Sequence, residues 1–287
     1  MKTVAIVGTG AIGSTIAAWL IDSDKTDVTL CARTPFDHLS VQTPDQLLES
    51  DPRVVTDPSD ATPVDWVVIA TKTYDAIGAS VWLERLVRKD TRVAILQNGV
   101  EHMVRFPQLA REQLLPAIVD IPAERHSPGN VVQRRNGSIL VPEGAAGLAF
   151  VDLFAHSPIE VATSTDWTSA AWKKLAINCA GAVNALTLKP AAISADEEIA
   201  ELMRGLVREC ILVGRAEGAQ LSDTLVEEVV AGYRSSPADS INSIHADRLS
   251  GRPTEADARN GVIARLAEKH GLEAPFNKMA DVILRKS

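Results

Sequence analysis

The chain begins with an apolar run that ends in a glycine-rich turn. Three glycines in this turn have the Gly-x-Gly-x-x-Gly spacing of dinucleotide-binding turns. The first glycine of such a turn permits a tight bend, the second lets a pyrophosphate approach the backbone, and the third lets a helix pack against a strand. The dipole and free N–H groups of the following helix favour the anion. We expect the whole motif to bind a cofactor: Gly8, Thr9, Gly10, Ala11, Ile12 and Gly13. The alternative is a glycine-rich turn of another doubly wound protein.

The residues after the second apolar run indicate which dinucleotide is bound. Folds that prefer NAD usually place Asp or Glu there, about 20 residues beyond the glycines, to bind the ribose 2′-hydroxyl. Here Cys31, Ala32 and Arg33 occupy the position, so no carboxylate is present. A guanidinium offers a planar set of donors to a 2′-phosphate. The sequence therefore predicts NADP(H), with a solvated loop arginine as the alternative explanation of Arg33.

Two further polar residues follow predicted strands and should lie at the same edge of the sheet. Lys72 comes after the strand 66–70, and Asn98 comes after the strand 92–96. Ligands of doubly wound sheets bind outside the carboxyl ends of the strands. The amide of Asn98 has a donor and an acceptor, which suits a nicotinamide carboxamide or a substrate oxygen. An exposed loop lysine and an Asn-Gly turn explain the same residues without a ligand.

A lysine in the second half of the chain is a candidate proton donor. Lys173 and Lys174 lie in apolar surroundings, and Asn178 follows four positions after Lys174. In a helix, Lys174 and Asn178 share one face. Hydride transfer to a ketone needs a proton for the developing alkoxide, and a partly buried lysine ammonium can supply it. Periodicity alone favours two lysines whose stems cover the surface while their ammonium groups stay in water.

The elements that position these residues alternate through the first half of the chain. Buried strands are predicted at 4–7, 28–32, 54–55, 66–70 and 92–96, with helices at 11–21 and 74–87. This alternation predicts a mostly parallel sheet with helices on both faces. Shorter strands follow at 117–119, 131–133, 138–141 and 160–162, with a short helix at 150–154. Asn136-Gly137 is a hairpin signal between two of these strands.

After about residue 165 the strand patterns stop. Helices separated by prolines are predicted at 167–188, 196–217, 222–233, 255–270 and 276–285. We therefore predict two domains: an α/β Rossmann-type doubly wound sheet over 1–165 that binds NADP, and an all-α domain over 166–287 with substrate-binding and catalytic residues. A substrate cleft is expected between them, at the carboxyl ends of the parallel strands.

Composition argues against several other classes of protein. The 287 residues carry a formal net charge of −8, which argues against a nucleic-acid partner. The three cysteines, Cys31, Cys179 and Cys210, are far apart and odd in number, so they suggest neither a disulfide framework nor a metal cluster. No run reaches the roughly 18 apolar residues of a membrane span. The N-terminal glycines suit a βα unit better than a signal peptide. We expect a cytoplasmic protein without metal or membrane partners.

Over essentially its whole length the chain resembles the ketopantoate reductase (2-dehydropantoate 2-reductase) family. The matching residues are GTGAIG at 8–13, Arg33, Lys72, Gln97-Asn98-Gly99, Lys174-Leu175 with Asn178, and the block from Ser243-Ile244-His245-Ala246-Asp247 through Pro253-Thr254-Glu255 to Asn260-Gly261. The twelve-residue separation of Ser243 and Glu255 is typical of the family. The resemblance implies a Rossmann domain joined to a helical domain of the 6-phosphogluconate dehydrogenase C-terminal type. It also implies NADPH-dependent reduction of 2-dehydropantoate to pantoate in pantothenate (vitamin B5) biosynthesis.

The resemblance also implies roles for the site residues. Lys174 is then the general acid that protonates the carbonyl oxygen, and Glu255 contacts the cofactor and helps to position Lys174. Asn98 and Asn178 orient the substrate and the nicotinamide, and Ser243 holds the substrate carboxylate. A 2-keto acid needs such a set, because it requires a carboxylate anchor, a proton donor near its carbonyl and a hydride held in line.

At the other end of the cofactor, the resemblance implies that Arg33 and Lys72 bind the region of the adenosine 2′-phosphate. Members of the family commonly form dimers. A homodimer is compatible with the apolar stretches of the second domain, although no feature of the sequence requires one.

One position departs from the family pattern. The family usually has a second asparagine eight residues after the catalytic lysine, where this chain has Ala182. The nearest asparagine is Asn184, about 200° around an ideal helix from Ala182. Either a local distortion of the helix brings Asn184 to the substrate, or the second contact to the substrate hydroxyl is missing.

Three hypotheses follow from these residues. The first is a ketopantoate reductase, and the second is a related NADPH-dependent reductase of a different 2-keto acid or ketone, for which Ala182 is the motivation. The third is a regulatory protein that senses NADP(H) without turnover. Lys174 and Glu255 count against the third, because a sensor needs no proton donor.

Overall fold

The computed structural model describes the whole chain, Met1–Ser287, as two structural units. The first comprises Met1–Gln97 and His102–Thr165, and the second comprises Asn98–Glu101 and Asp166–Ser287. The segment Asn98–Glu101, which the sequence-based boundary places in the first domain, is thus grouped with the second unit. No helix of the chain is both long and apolar enough to span a lipid bilayer.

The first unit contains all thirteen strands and three α-helices. The strands are β1 (Lys2–Val7), β2 (Thr26–Cys31), β3 (Leu39–Gln42), β4 (Leu47–Ser50), β5 (Arg53–Val55), β6 (Trp66–Ile69), β7 (Arg92–Ile95), β8 (Leu114–Pro116), β9 (Ile118–Asp120), β10 (Ala123–Ser127), β11 (Asn130–Gln133), β12 (Ser138–Pro142) and β13 (Glu160–Ser164). The helices are α1 (Ala11–Asp22), α2 (Ala76–Leu86) and α3 (Ala145–Leu153). Short 3-10 helices lie at Pro58–Asp60, Thr73–Asp75, His102–Val104 and Arg111–Gln113.

Six parallel strands form the main sheet, in the order β5-β2-β1-β6-β7-β8. Four of them end in register at one edge, with Val7 of β1 opposite both Cys31 and Ile69, and Ile69 opposite Ile95. The loops that leave this edge carry the glycine motif, Arg33 and the 70–72 segment. The parallel register therefore brings these separate stretches of sequence to one place.

Successive side chains of β1 enter two different cores, because a strand alternates between the faces of its sheet. Val4 and Ile6 pack with residues of α1, whereas Ala5 and Val7 pack with residues of α2. The near-continuous apolar composition of the strand follows from burial on both faces. The predicted doubly wound α/β fold is confirmed.

A four-stranded sheet, in the order β10-β11-β3-β4, covers the other side of α1. Trp19 of α1 donates its indole N–H to Oε1 of Gln133 on β11, at 2.8 Å. Because α1 contacts strands of both sheets, it is apolar nearly all round, as a fully buried helix must be. The strands β3, β4 and β10 of this covering sheet were not predicted from the sequence.

The hairpin predicted at Asn136-Gly137 is wrong. β11 pairs with β10 and β3, whereas β12 pairs with β9 and β13 in a separate sheet of order β13-β12-β9. The tight reversal lies between β10 and β11 instead, where Gly129 has φ +75°. The Asn-Gly pair permits a bend, but tertiary pairing decides which strands become partners.

The second unit is helical. Its helices are α4 (Trp167–Ala180), α5 (Ala182–Thr187), α6 (Glu197–Ala216), α7 (Leu225–Ser235), α8 (Ser243–Leu249), α9 (Val262–Lys269) and α10 (Pro275–Lys286). A 3-10 segment lies at Ala191–Ala195, and a π-helical turn at Asp257–Gly261 leads into α9. The long predicted helix over 167–188 is thus two helices with Gly181 between them, and α8 was not predicted.

The long helix α6 packs against α4, α7, α9 and α10. The N-terminus of α10 is fixed by a buried carboxylate of α6. Glu209 accepts hydrogen bonds from the backbone N–H groups of Phe276 and Asn277, at 2.8 and 2.9 Å, and from Nδ2 of Asn277 at 2.7 Å. The carboxylate satisfies donors that a helix leaves unpaired at its N-terminus, where the helix dipole favours negative charge.

Candidate active site

The glycine motif forms a tight turn between β1 and α1. Gly8 has φ +101°, and a Cβ at this position would lie 2.7 Å from the backbone N of Thr71. A Cβ at Gly13 would lie 2.0 Å from the carbonyl oxygen of Gly8. The tight bend predicted at Gly8 and the close helix–strand packing predicted at Gly13 are confirmed, because only glycine fits either place.

The N-terminus of α1 is open to an anion. Gly10 is the N-cap residue, no side chain caps the helix, and its first turn has no acidic residue. A Cβ at Gly10 would meet no atom within 4 Å, so space remains beside the backbone. Thr9, Ala11 and Ile12 complete the turn, with Thr9 buried and its carbonyl bonded to the hydroxyl of Ser14. Uncapped N–H groups, a helix dipole and open space suit a pyrophosphate.

Arg33 and the 72–75 segment lie together at the same edge of the main sheet. Nη1 of Arg33 is 3.1 Å from a carboxylate oxygen of Asp75, and 85% of the arginine side chain is exposed. Lys72 directly precedes the 3-10 helix Thr73–Asp75 and is half-buried. The edge therefore has an accessible guanidinium that pairs with a carboxylate whose side chain is 29% exposed.

Gln97 joins the two loops that leave β6 and β7. Its side-chain amide donates to Oγ1 of Thr71 at 3.0 Å and to the carbonyl of Lys72 at 3.2 Å. Its own carbonyl accepts from Nε2 of His102 at 2.8 Å. Burial lowers the pKa of His102 to about 3, so the imidazole is neutral at physiological pH and carries its proton on Nε2. Sequence reasoning noted Gln97 but gave it no role, and it overlooked His102.

Within the helical unit, three of the predicted site residues are brought together. Nδ2 of Asn98 donates to Oε2 of Glu255 at 2.9 Å, and Nδ2 of Asn178 donates to Oδ1 of Asn98 at 3.4 Å. Glu255 is 4% exposed, whereas Asn98 and Asn178 are half-buried. Lys174 lies on α4, one turn before Asn178, and is half-buried. The structure thus combines a carboxylate, two amides and a lysine ammonium on adjoining segments.

Ser243 lies at the start of α8, where the side chain of Asn242 caps the helix by accepting from the N–H of His245 at 3.0 Å. The serine is exposed, and its Oγ accepts from Nη2 of Arg259 at 2.7 Å. Arg259 is 2% exposed and lies in the π-helical turn that follows Glu255. Sequence reasoning missed Arg259, because no local pattern distinguishes it from a surface arginine.

The structure does not make Asn184 available to a substrate. Asn184 is buried, and its amide nitrogen donates to the carbonyls of Lys189 and Pro190 at 3.0 and 3.1 Å. Its oxygen accepts from Nδ2 of Asn242 at 3.3 Å. Both amide hydrogens are therefore used to fix the chain after α5. The predicted substrate contact of Asn184 is a structural contact instead, and Ala182 is fully buried.

Comparison with known families decides where the chain belongs. A family model described as "Ketopantoate reductase PanE/ApbA" matches residues 4–146, and the model of the same family's C-terminal part matches residues 166–286. The chain belongs to the ketopantoate reductase family. The resemblance seen in the sequence is confirmed, and this chain is an oxidoreductase of a family that needs a nicotinamide cofactor.

Individual relatives match over nearly the full length of this reductase. A 2-dehydropantoate 2-reductase of Caulobacter vibrioides is 55% identical over 285 residues, which cover 99% of this chain and 98% of the relative. The enzyme of the same name from Mycobacterium tuberculosis is 38% identical, with 96% and 94% of the two chains covered. The solved structure of a dimeric ketopantoate reductase from Staphylococcus aureus superposes with a TM-score of 0.89 at 28% identity and covers 99% of this chain and 98% of its own.

Proposed function

We propose that this chain reduces 2-dehydropantoate to pantoate with NADPH, a step of pantothenate biosynthesis. The observation that carries the proposal is the cluster formed by Asn98, Asn178 and Glu255 beside the lysine of α4. The full-length match to a 2-dehydropantoate 2-reductase at 55% identity supports the substrate. A sensor of NADP(H) would not require a carboxylate, two amides and an ammonium group on adjoining segments.

The proposed reaction adds a hydride to the carbonyl carbon and a proton to the carbonyl oxygen. A bound nicotinamide supplies the hydride. Lys174 donates the proton from its ammonium group to the oxygen, so that the charge developing on the oxygen is neutralised as the C–O double bond is reduced. Lys174 is left neutral and regains a proton from water, to which its half-buried side chain has access.

Glu255 and the two asparagines position the reacting groups in this proposal. The carboxylate of Glu255 opposes the cost of keeping an ammonium charged in a partly buried place. Asn98 is fixed by its bond to Glu255, and Asn178 by its contact with Asn98, so both amides are oriented before the substrate arrives. Groups oriented in advance lose little entropy on binding, which is a main source of catalytic rate.

The cofactor proposed is NADP(H) rather than NAD(H). The open turn at Gly8–Gly13 fits a pyrophosphate, and Arg33 with Lys72 supplies positive charge at the same edge of the sheet. No acidic residue lies between Cys31 and Arg33 to bind a ribose 2′-hydroxyl. A planar guanidinium suits a phosphate ester better than a hydroxyl.

A second candidate function is reduction of a different 2-keto acid. Two observations favour it: Ala182 has no polar group, and the amide of Asn184 is used by backbone carbonyls. The side chain that would form a hydrogen bond with the additional hydroxyl of pantoate is therefore absent from α5. A bulkier or more apolar acid is the alternative substrate.

Steady-state kinetics with NADPH distinguish these functions. We expect oxidation of NADPH with 2-dehydropantoate, and a higher kcat/KM for this acid than for pyruvate, 2-ketoisovalerate or phenylglyoxylate. A preference of about 100-fold for another acid, roughly 2.7 kcal/mol of transition-state discrimination, would favour the second candidate. No turnover with any of the acids would contradict both.

We further propose that the enzyme is a cytoplasmic homodimer. Cys31, Cys179 and Cys210 are all free and buried, which suits a reducing compartment. Met279, Val282 and Ile283 leave apolar surface exposed on α10, and the solved relative from Staphylococcus aureus is described as dimeric. Sedimentation velocity tests the assembly, and a concentration-independent monomer would contradict it.

A further inference from the structure

One arginine of the helical unit is buried with its charge unpaired. Arg259 is 2% exposed and is among the largest fully buried side chains of the protein. Its one hydrogen bond runs from Nη2 to Oγ of Ser243, and its buried Nε has no partner. No carboxylate forms an ion pair with it. The two acidic residues that precede it within four positions of the sequence have other partners, since Asp257 pairs with Arg265 and Glu255 accepts from Asn98.

Such an arrangement is unfavourable unless an anion completes it. A guanidinium stays protonated at any physiological pH, so it cannot escape burial by losing its proton. A buried charge without a partner lowers the free energy of unfolding, whereas a well-placed anion reverses the effect. An unsatisfied buried polar group in a native structure therefore requires an explanation, and a functional role is one of them.

The hydrogen bond between Arg259 and Ser243 also fixes the direction of the serine hydroxyl. A hydroxyl has one hydrogen to donate and lone pairs that accept. Because Oγ of Ser243 accepts from Nη2 of Arg259, its hydrogen is left for a different acceptor. Ser243 is exposed while Arg259 is buried, so the hydroxyl lies between the buried charge and any ligand that arrives from solvent.

The surroundings connect this pair to the lysine helix. The hydroxyl of Tyr233, a half-buried residue, donates to the carbonyl of Ile177 on α4, at 3.0 Å. Burial raises the pKa of Tyr233 to about 12, and the charge of Arg259 opposes that rise. The guanidinium therefore lies within electrostatic reach of the α4 segment on which Asn178 follows Ile177.

We propose that Arg259 makes the site selective for carboxylic acids. Its guanidinium orients the hydroxyl of Ser243 to donate to the carboxylate of the 2-keto acid, and it supplies the positive charge behind that contact. The inference rests on the proposed function and extends it by naming the group that selects an acid over a neutral ketone. Arg259 is a positioning residue that acts through Ser243.

The test compares an acid with its neutral counterpart. The variant Arg259→Met removes the charge and keeps an unbranched side chain, and Arg259→Lys keeps the charge without the planar fork. Each variant is assayed at saturating NADPH with 2-dehydropantoate and with the lactone that its hydroxyl and carboxyl groups form together. Arg265→Met is the matched control, because Arg265 is a half-exposed arginine six residues further along the chain.

We expect Arg259→Met to raise KM for the acid about 100-fold, with a much smaller change of kcat and of kcat/KM for the lactone. Arg259→Lys should have a smaller increase of KM for the acid than Arg259→Met. Arg265→Met should change kcat/KM for the acid and for the lactone by no more than about threefold. Pantoate should raise the Tm of the wild type but not of the Met variant, while NADP⁺ raises both. Without ligand, the Met variant should be at least as stable as the wild type, because a buried unpaired charge has been removed.

Other results would overturn the inference. If Arg259→Met lowers Tm and reduces activity on acid and lactone alike, Arg259 is structural. If the Met variant keeps the wild-type KM for 2-dehydropantoate, the inference fails and the proposed function stands. If the wild type prefers another 2-keto acid, the proposed function fails, and the same variants assayed with that acid still decide the role of Arg259.

Discussion

The amide of Asn98 donates to the carboxylate of Glu255 at 2.9 Å, although 157 positions separate the two residues in the chain. Asn98 follows a strand of the α/β unit, yet it is grouped with the helical unit. The hydrogen bond joins the segment Asn98–Glu101 to Glu255, just before the π-helical turn. A second bond, from Arg265 to Glu101 at 2.8 Å, attaches the end of the same segment.

The hydrogen bond between Asn98 and Glu255 should contribute more to catalysis than the ion pair between Arg265 and Glu101 does. Asn98→Ala removes one hydrogen-bond donor from a buried carboxylate, and loss of such a hydrogen bond to a charged group costs about 1–3 kcal/mol. We expect kcat/KM to fall roughly 10- to 100-fold. Glu101→Gln is the control from the same segment, and it should change kcat/KM less than about threefold because its ion pair with Arg265 is partly exposed. Equal effects of the two substitutions would contradict the assignment.

Adjacent lysines of α4 provide a matched test of the proton donor. Lys173 is exposed and Lys174 is half-buried on the face that carries Asn178. We expect Lys174→Ala to lower kcat roughly 100- to 10,000-fold, as loss of a general acid does, without weakening the binding of NADPH. Lys173→Ala should leave kcat within about twofold. Full activity of the Lys174 variant, measured by NADPH absorbance, would refute its role as the proton donor.

The sequence predicts an element of this fold correctly where the element's own residues determine it, and less well where tertiary packing does. Val4–Val7 and the following helix are predicted correctly because burial on both faces of β1 and around α1 imposes a composition that any reader can see. Strand β3 was missed, because its four residues are too few to show a period against the loops around them. The partners of β11 and β12 depend on tertiary packing, so Asn136-Gly137 misled the prediction.

The candidate site shows the same division. Lys174 and Asn178 share a helical face, so their spacing alone relates them. Arg259 and Arg265 lie in one continuous helical segment and look alike in sequence, yet the first is fully buried and the second is partly exposed. Their tertiary partners distinguish them, because Arg259 contacts Ser243 of α8 whereas Arg265 pairs with Glu101 and Asp257. Asn184 was misassigned for a similar reason, since its partners come from the chain after α5.

The ion pair of Arg33 with Asp75 predicts an exchange of partners when the cofactor binds. Arg33→Ala should raise the Kd of NADPH roughly 10- to 100-fold and leave the Kd of NADH almost unchanged, because only NADPH has the 2′-phosphate. Asp75→Asn should lower the Kd of NADPH by up to about fivefold, because Arg33 then has no competing carboxylate. The effect is limited to this size because a surface ion pair contributes about 1 kcal/mol or less. Fluorescence titration measures the Kd values of NADPH and NADH. An equal rise of the two Kd values in Arg33→Ala would contradict a contact with the 2′-phosphate.

The buried imidazole of His102 predicts how acid affects the first unit. Its pKa is about 3 in the folded chain and about 6.5 in an unfolded one. Above pH 6.5 neither state binds the proton, so the stabilising contact with Gln97 is fully present. As the pH falls from 6.5 towards 3, only the unfolded chain takes up this proton, and the free energy of unfolding decreases by up to ~1.4 kcal/mol per pH unit.

The variant His102→Gln separates this contribution from the general effect of acid. Glutamine retains an N–H donor and does not titrate, so unfolding by urea between pH 4 and 6.5 should depend less on pH by roughly one proton. The exposed His156 provides the control, and His156→Gln should leave the pH slope unchanged. An unaltered slope in the His102 variant would show that the imidazole is protonated in the folded chain. In that case, the assignment of its Nε2 proton to the carbonyl of Gln97 would no longer follow from neutrality.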